Sequence, residues 1–262
     1  MSIGKILYLD WCRLVHSKSM IWGACGIAIY MLVMRLEDPQ CSTVVEWVTG
    51  SMEVWSFVMV IMITYEVYGN CILEDMENHY LYAILREQKS LFLYSLSKMM
   101  IIFISCVLTT ALGITLFALC CRLNMNWTGP QNDYLRGYSA FSTIYDQGHY
   151  LLWFILVGMQ FGLLAGMMAM IGTIVSLFIE NRILAGASTI IALTTFNQLE
   201  GIFWHRYSFG GGMHILGMYQ AFYNAYHLSN GWLSHCLFLA GIFFIITTII
   251  IYFRLKWRLR HE

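Results

Sequence analysis

The chain has 262 residues, of which 59% are hydrophobic and only 11% are charged. A soluble domain carries roughly a quarter charged residues, so this composition excludes an ordinary soluble domain and indicates a membrane protein. The 15 basic and 15 acidic residues give no net charge. The charge balance therefore points to no particular partner, and we expect no nucleic acid to bind.

Long apolar runs divide the chain into predicted membrane spans. A bilayer core about 30 Å thick requires about 20 apolar residues in a helical crossing. The runs are continuous rather than alternating, which predicts helices and not barrel strands. We therefore expect an all-α polytopic membrane protein with a single transmembrane domain over 1–262. The six predicted spans are 20–36, 52–73, 98–121, 149–179, 183–199 and 236–253.

The distribution of basic residues predicts the orientation. With the N-terminus in the cytoplasm, the inner segments contain 11 of the 15 Lys and Arg residues and the outer segments contain four. Basic residues concentrate on the cytoplasmic side of membrane proteins. The sequence therefore predicts that both termini are cytoplasmic; the bacterial cytoplasmic membrane is what the family resemblance described below implies.

Three segments outside the spans have a recognisable character. Residues 1–19 place apolar and basic positions at helical spacing, which predicts an amphipathic interfacial helix. Residues 74–90 begin with carboxylates and end with Arg86 and Lys89, a charge order that suits a short cytoplasmic helix. Residues 200–235 are too apolar for a solvated loop and too interrupted for a span, so we expect re-entrant or interfacial helices there.

Glycines on the fourth span predict close helix packing. Gly158, Gly162 and Gly166 recur at every fourth position and line one helix face. Such glycines allow two backbones to approach closely. We expect this face to pack on another helix of the same chain, with a subunit interface as the alternative.

The motifs of common enzymes are missing from the sequence. It contains no G-x-x-x-x-G-K-[ST] for ATP, no H-E-x-x-H for zinc and no G-x-S-x-G nucleophile. The cysteines and histidines fit no standard metal spacing. We therefore expect no catalytic residue, no metal and no cofactor in this chain. Glu66 is the carboxylate placed clearly within a span, where it either contacts a substrate or cation or pairs near the inner interface.

These features together resemble the permease subunit of a type-2 ATP-binding cassette (ABC) exporter. The resemblance covers the whole length: an interfacial helix, six spans, a cytoplasmic coupling helix between spans two and three, and re-entrant helices before span six. The stretch from Asp75-Met76-Glu77 through Ile84-Leu85-Arg86 to Tyr94-Ser95-Leu96-Ser97-Lys98 is similar to the family's entry into span three. Asn78-His79 stand where that family often has a small residue.

The resemblance implies partners and sites. A second six-span permease, a copy or a relative, would complete the pathway, and separate cytoplasmic ATPases would bind ATP and magnesium. The expected ATPase contacts on the coupling helix are Asp75, Glu77, Tyr80, Tyr82 and Arg86. The expected pathway residues are Glu66, Thr194, Thr195 and Asn197.

The implied function is export of an amphipathic peptide, a toxin or a hydrophobic antibiotic, with lipid-linked glycan and sodium as further substrate classes. Two other readings stay open. One is a secondary transporter coupled to ions or protons. The other is an intramembrane enzyme, for which the sequence places few polar residues at one depth.

Overall fold

The computed structural model describes residues 3–36, 42–52, 54–78, 91–130, 132, 141–179, 181–206 and 230–261. These residues form helices and contain no β-strand apart from one isolated bridge between Thr43 and Asn126. The helices are α1 (Ile3–His16), α2 (Ser19–Leu36), α3 (Val44–Ser51), α4 (Val54–Tyr68), α5 (Cys71–Glu77), α6 (Leu91–Arg122), α7 (Ser142–Asp146), α8 (Tyr150–Ile179), α9 (Arg182–Arg206) and α10 (Asn230–His261).

Each predicted span coincides with helical structure. The second span is divided between α4 and α5, which meet at Gly69 and Asn70. The third begins seven residues earlier than predicted, at Leu91, and α10 extends past the predicted sixth span at both ends. The prediction of re-entrant helices falls mostly on 207–229, which lies outside the described residues.

Four described helices are long and apolar enough to cross a membrane: Phe57–Glu77, Leu91–Arg122, Tyr150–Ile179 and Cys236–Arg260. A fifth candidate is the bent pair Leu7–His16 and Ser19–Met34, whose axes differ by 55°. The helix α9 is not among them, and its serine, threonine, asparagine and glutamine side chains lower its hydropathy. The described helices are thus those of an all-α membrane protein, and they include four or five candidate spans.

The centre of the bundle is the pair α6 and α8, and glycine brings their backbones together. A Cβ atom on Gly158 would lie 2.7 Å from the Cα atom of Ala111, and one on Gly162 would lie 2.6 Å from the Cα atom of Val107. Gly166 faces the ring of Phe103 in the same way, at 2.7 Å. The prediction that this glycine face packs within the chain is confirmed.

The remaining helices surround this pair. The helix α2 packs on α4 and α6, and α9 packs on α4 and α8. At the opposite end of the bundle from α1, the short helix α3 is capped by Thr43, whose side chain accepts a hydrogen bond from the backbone N–H of Glu46. Asn132 donates a 2.8 Å hydrogen bond to the Thr43 hydroxyl, which ties α3 to the segment after α6.

The helix α1 lies against the bundle through one of its faces. Leu14 and Asp10 are buried and Leu7 is half-buried, whereas Tyr8 and Trp11 are exposed. The exposed side chains are apolar, as expected for a helix that lies at a membrane surface. The inward face carries a carboxylate, however, and that carboxylate leads to the site described next.

Candidate functional site

A fully buried lysine forms the centre of a charged network at the end of the bundle that includes α1. Lys98, on α6, has no exposed side-chain surface. Its Nζ atom lies 2.6 Å from Asp10 Oδ1 on α1 and 2.7 Å from Asp75 Oδ2 on α5. Buried charges persist only when they are paired, so these contacts join three helices at one point.

Hydrogen bonds from neighbouring side chains extend the network. The Tyr94 hydroxyl donates to Asp75 Oδ2 at 2.9 Å, and Arg13 donates to Asp75 Oδ1 at 2.6 Å. Arg13 also donates to Glu74 Oε2 at 3.1 Å. Both oxygens of Asp75 are therefore occupied within the chain, and α1 is attached to α5 by two arginine contacts as well as by Lys98.

A more exposed arginine attaches α9 to the same helix. Arg182, at the start of α9, donates a 2.6 Å hydrogen bond to Glu77 Oε2 and lies 3.6 Å from Glu74 Oε1. About half of the Arg182 side chain is exposed, so solvent screens these contacts. We define the charged network as Asp10, Arg13, Glu74, Asp75, Glu77, Lys98 and Arg182.

The environment of the two arginines keeps them charged. Burial alone would lower the pKa of Arg13, but the hydrogen bond and the charge of Asp75 outweigh it, and the pKa is raised above its ordinary value. The hydrogen bond to Glu77 raises the pKa of Arg182. Both arginines therefore stay positively charged across the physiological pH range.

A pocket of about 400 Å³ opens beside the network. Leu9, Asp10, Arg13, Asp75 and Asn78 line it. The second oxygen of Asp10, Oδ2, is buried and accepts no hydrogen bond from any described residue. No group of three His, Cys, Asp or Glu side chains in the described part of the chain is placed to hold a metal ion.

A second cluster of hydrogen-bonded polar side chains lies where α4 ends and α5 begins. The Tyr65 hydroxyl donates to Asn70 Oδ1 at 2.7 Å, and Asn70 Nδ2 donates to Glu66 Oε2 at 3.3 Å. The Thr173 hydroxyl on α8 donates to the Gly69 carbonyl at 3.0 Å. A break in a helix leaves carbonyl groups without their intrahelical donors, and this side-chain bond satisfies one of them.

The predicted ATPase contacts Asp75 and Glu77 lie in different environments. Asp75 is buried in the charged network and belongs to α5, the continuation of the second span, so its carboxylate faces the bundle. Glu77 is the last residue of α5 and is half-exposed beside Arg182. Tyr80, Tyr82 and Arg86 lie outside the described residues.

The predicted pathway residues lie on two contacting helices but at different heights. Glu66 on α4 is level with Gly186 of α9, where a Cβ atom would lie 2.9 Å from Glu66 Oε1. Thr194, Thr195 and Asn197 follow on α9, all at least partly exposed. Thr194 lies eight residues from Gly186, about 12 Å along a helix that rises about 1.5 Å per residue. The structure does not bring Glu66 and these three residues together.

Sequence patterns do not reveal the residues that organise the charged network. Lys98 stands in the stretch that resembles the family's entry into span three, Arg13 and Arg182 count among the basic residues of the inner segments, and the sequence gives Asp10 no role. Asp10 and Lys98 are 88 residues apart, so no local motif joins them. A usable signal is that Lys98 stands within an apolar helix, where a charge needs a partner.

Comparisons with known proteins assign no family to this chain. No family model matches the sequence, no curated protein matches it, and no solved structure matches it. The fold and the charged network therefore define the class of molecule: an all-α membrane protein in which buried ion pairs join the helices at one end.

Proposed function

We propose that this protein is the permease subunit of an ATP-driven exporter with six spans and cytoplasmic termini. In this proposal α9 is the fifth span, and a second permease completes the pathway. The cargo would be an amphipathic peptide, a toxin or a hydrophobic antibiotic. A separate ATPase would bind ATP and magnesium and supply the free energy.

The observation that supports the proposal best is the position of the charged network. The helix α5 ends at Glu77 and α6 begins at Leu91, and the network includes residues near both of these ends. The predicted coupling segment is 74–90, and a partner that moves the part of it between these two helices would pull on α5 and α6 together. Through Asp10, Arg13 and Arg182 the same displacement would reach α1 and α9.

Asp75 and Glu77 have separate roles in this proposal. Asp75 holds α5 against Lys98 and Arg13 and so positions the coupling segment from inside the bundle. Glu77 is half-exposed and contributes to the ATPase contact together with Tyr80, Tyr82 and Arg86. The polar, partly exposed residues Thr194, Thr195 and Asn197 line the pathway on α9.

The first test is an affinity purification of the tagged protein from its native membranes in mild detergent, followed by mass spectrometry. We expect an ABC ATPase at near-equal stoichiometry, together with a second permease if that subunit is a relative rather than a copy. A monodisperse chain with no ATPase would contradict the proposal and favour a secondary transporter.

The second test is a pair of substitutions in the coupling segment. Replacing Tyr80 and Tyr82 with alanine should remove apolar contact area from the ATPase interface and lower ATPase recovery about tenfold, because aromatic side chains dominate such interfaces. Tyr8→Ala is the matched control, since Tyr8 is an exposed tyrosine on α1 outside the segment. Equal recovery of the ATPase with both variants would remove the interface assignment.

A further inference from the structure

The carboxylate of Glu66 stands in an apolar groove, and none of the described Lys, Arg or His side chains forms an ion pair with it. The groove lies between α2 and α4, has a volume of about 430 Å³ and is lined by Trp22, Met59, Met62 and Ile63 as well as by Glu66. Glu66 lies near the middle of Phe57–Glu77, one of the candidate membrane spans. Glu66 is therefore at membrane depth.

The contacts of Glu66 leave one of its oxygens unused. Oε2 accepts a 3.3 Å hydrogen bond from Asn70, and Oε1 lies beside Gly186, which has no side chain to donate. In the described part of the chain Glu66 forms no ion pair. The nearby cation Arg182 is already bound to Glu77 at 2.6 Å. A carboxylate at this depth is costly unless it meets a counter-charge or water.

The side chains around the carboxylate suit a particular kind of ligand. Trp22 is 74% exposed, and an indole face attracts organic cations. Methionines such as Met59 and Met62 adapt their shape to apolar bodies of different outline. A groove of this volume lies within the range of about 300–1,000 Å³ that small-molecule sites occupy.

We propose that the groove binds an amphipathic organic cation, with an ammonium or similar group on Glu66 and an apolar body against Trp22 and the methionines. The role of this cation as the cargo of an exporter rests on the proposed function. The inference narrows the proposed cargo to positively charged molecules with an apolar body. A second copy of the chain could fill the groove only by presenting a cation at this depth. Lys98, the buried lysine of the described helices, is already paired with Asp10 and Asp75.

The test is equilibrium binding to the purified full chain in lipid nanodiscs, without any ATPase, with empty nanodiscs as the blank. The probe is radiolabelled tetraphenylphosphonium, a cation with an apolar body, and the matched anion is tetraphenylborate. We expect saturable binding of the phosphonium and no saturable binding of the borate. The absence of saturable phosphonium binding, or equal binding of both ions, would overturn the proposal.

Substitutions locate the site. Glu66→Gln keeps the hydrogen bond from Asn70 and removes the charge, so phosphonium affinity should fall about tenfold, while Glu66→Asp should keep part of it. Asp146→Asn removes an exposed carboxylate far from the groove and should bind as the natural chain does. Unchanged affinity in a monodisperse Glu66→Gln protein would overturn the assignment to this groove.

The purification and the binding measurement together distinguish a failure of this inference from a failure of the proposed function. Recovery of an ABC ATPase with the Glu66→Gln chain, combined with normal phosphonium affinity, would leave the exporter standing and remove the cation site. Glu66-dependent phosphonium binding without an ATPase in the native membrane would keep the site and remove the ATP-driven mechanism.

Discussion

Lys98 shows how a single buried charge can determine the arrangement of several helices. Its ammonium group has two carboxylate partners that come from α1 and α5, and the side chain is fully buried. Removing one partner of a buried pair typically costs about 3–5 kcal/mol, because the remaining charge is left unpaired. The stability of the protein should therefore respond strongly to the loss of a single charge in the network.

Lys98→Met should lower the stability of the protein by about 3 kcal/mol, since two carboxylates would then share the buried space with only Arg13 as a cation. The measurement is the midpoint of thermal unfolding in detergent. The double variant Lys98→Met with Asp10→Asn should recover part of the loss, because it removes the unpaired charge of Asp10.

The control for this prediction is Lys256→Met. Lys256 is a half-buried lysine on α10 whose Nζ atom donates to the Tyr252 hydroxyl at 3.4 Å, and it has no carboxylate partner among the described residues. Its loss should change the midpoint little. A Lys98→Met protein as stable as this control would show that the buried ion pairs do not hold the helices together.

At the level of whole helices, the α6 and α8 pair depends on the absence of side chains at the contact. The backbones are so close at Gly162 that an added Cβ atom would lie 2.6 Å from the Cα atom of Val107. Helices in lipid associate through such close packing, since apolar lipid chains provide no hydrophobic driving force between them. The glycine face thus fixes the distance between the two central helices.

Gly162→Ala should separate α6 from α8 and lower stability by about 1–3 kcal/mol, the usual cost of overpacking. Gly241→Ala on α10 is the matched control, because a Cβ atom there meets nothing within 4 Å. Alanine favours helices over glycine by about 1 kcal/mol, so the control should be equal to or more stable than the natural chain. Equal midpoints of thermal unfolding for the two variants would contradict the packing argument.

The break between α4 and α5 was not predicted, for a physical reason. The apolar run continues through Gly69, so hydropathy gives one span there, whereas the break depends on contacts with distant residues. Thr173 on α8 donates to the Gly69 carbonyl across 104 residues of sequence. By contrast, Thr43 and Glu46 form a capping box that is readable from the sequence, so the start of α3 was predictable.

For the whole molecule, the sequence pattern predicts where the helices lie much better than what joins them. Length and hydropathy place helices on all six predicted spans, because the thickness of the bilayer fixes how many apolar residues a crossing needs. The charged network joins residues from four separate segments, and local spacing carries no information about such pairs. Asp75 illustrates the difference: the sequence places it at the start of a cytoplasmic helix, whereas it lies in the last turn of α5, buried against Lys98.

The number of crossings is decided by α9, because its hydropathy is low and its two ends are marked by Arg182 and Arg206. If α9 crosses the membrane, six spans return the C-terminus to the cytoplasm. If α9 stays on one side, the count becomes odd and the C-terminus emerges outside. The basic residues Arg254, Lys256 and Arg258 favour the cytoplasmic location.

Reporter fusions distinguish the two topologies. A green fluorescent protein fused after the last residue should fluoresce, and alkaline phosphatase at the same point should be inactive, because both termini are expected in the cytoplasm. Phosphatase fused after Asn124, beyond α6, should be active, and phosphatase fused after Asn181, beyond α8, should be inactive. These two fusions report on crossings before α9 and serve as controls. Active phosphatase at the C-terminus, with both controls as expected, would show that α9 does not cross, and would remove the six-span arrangement on which the exporter proposal depends.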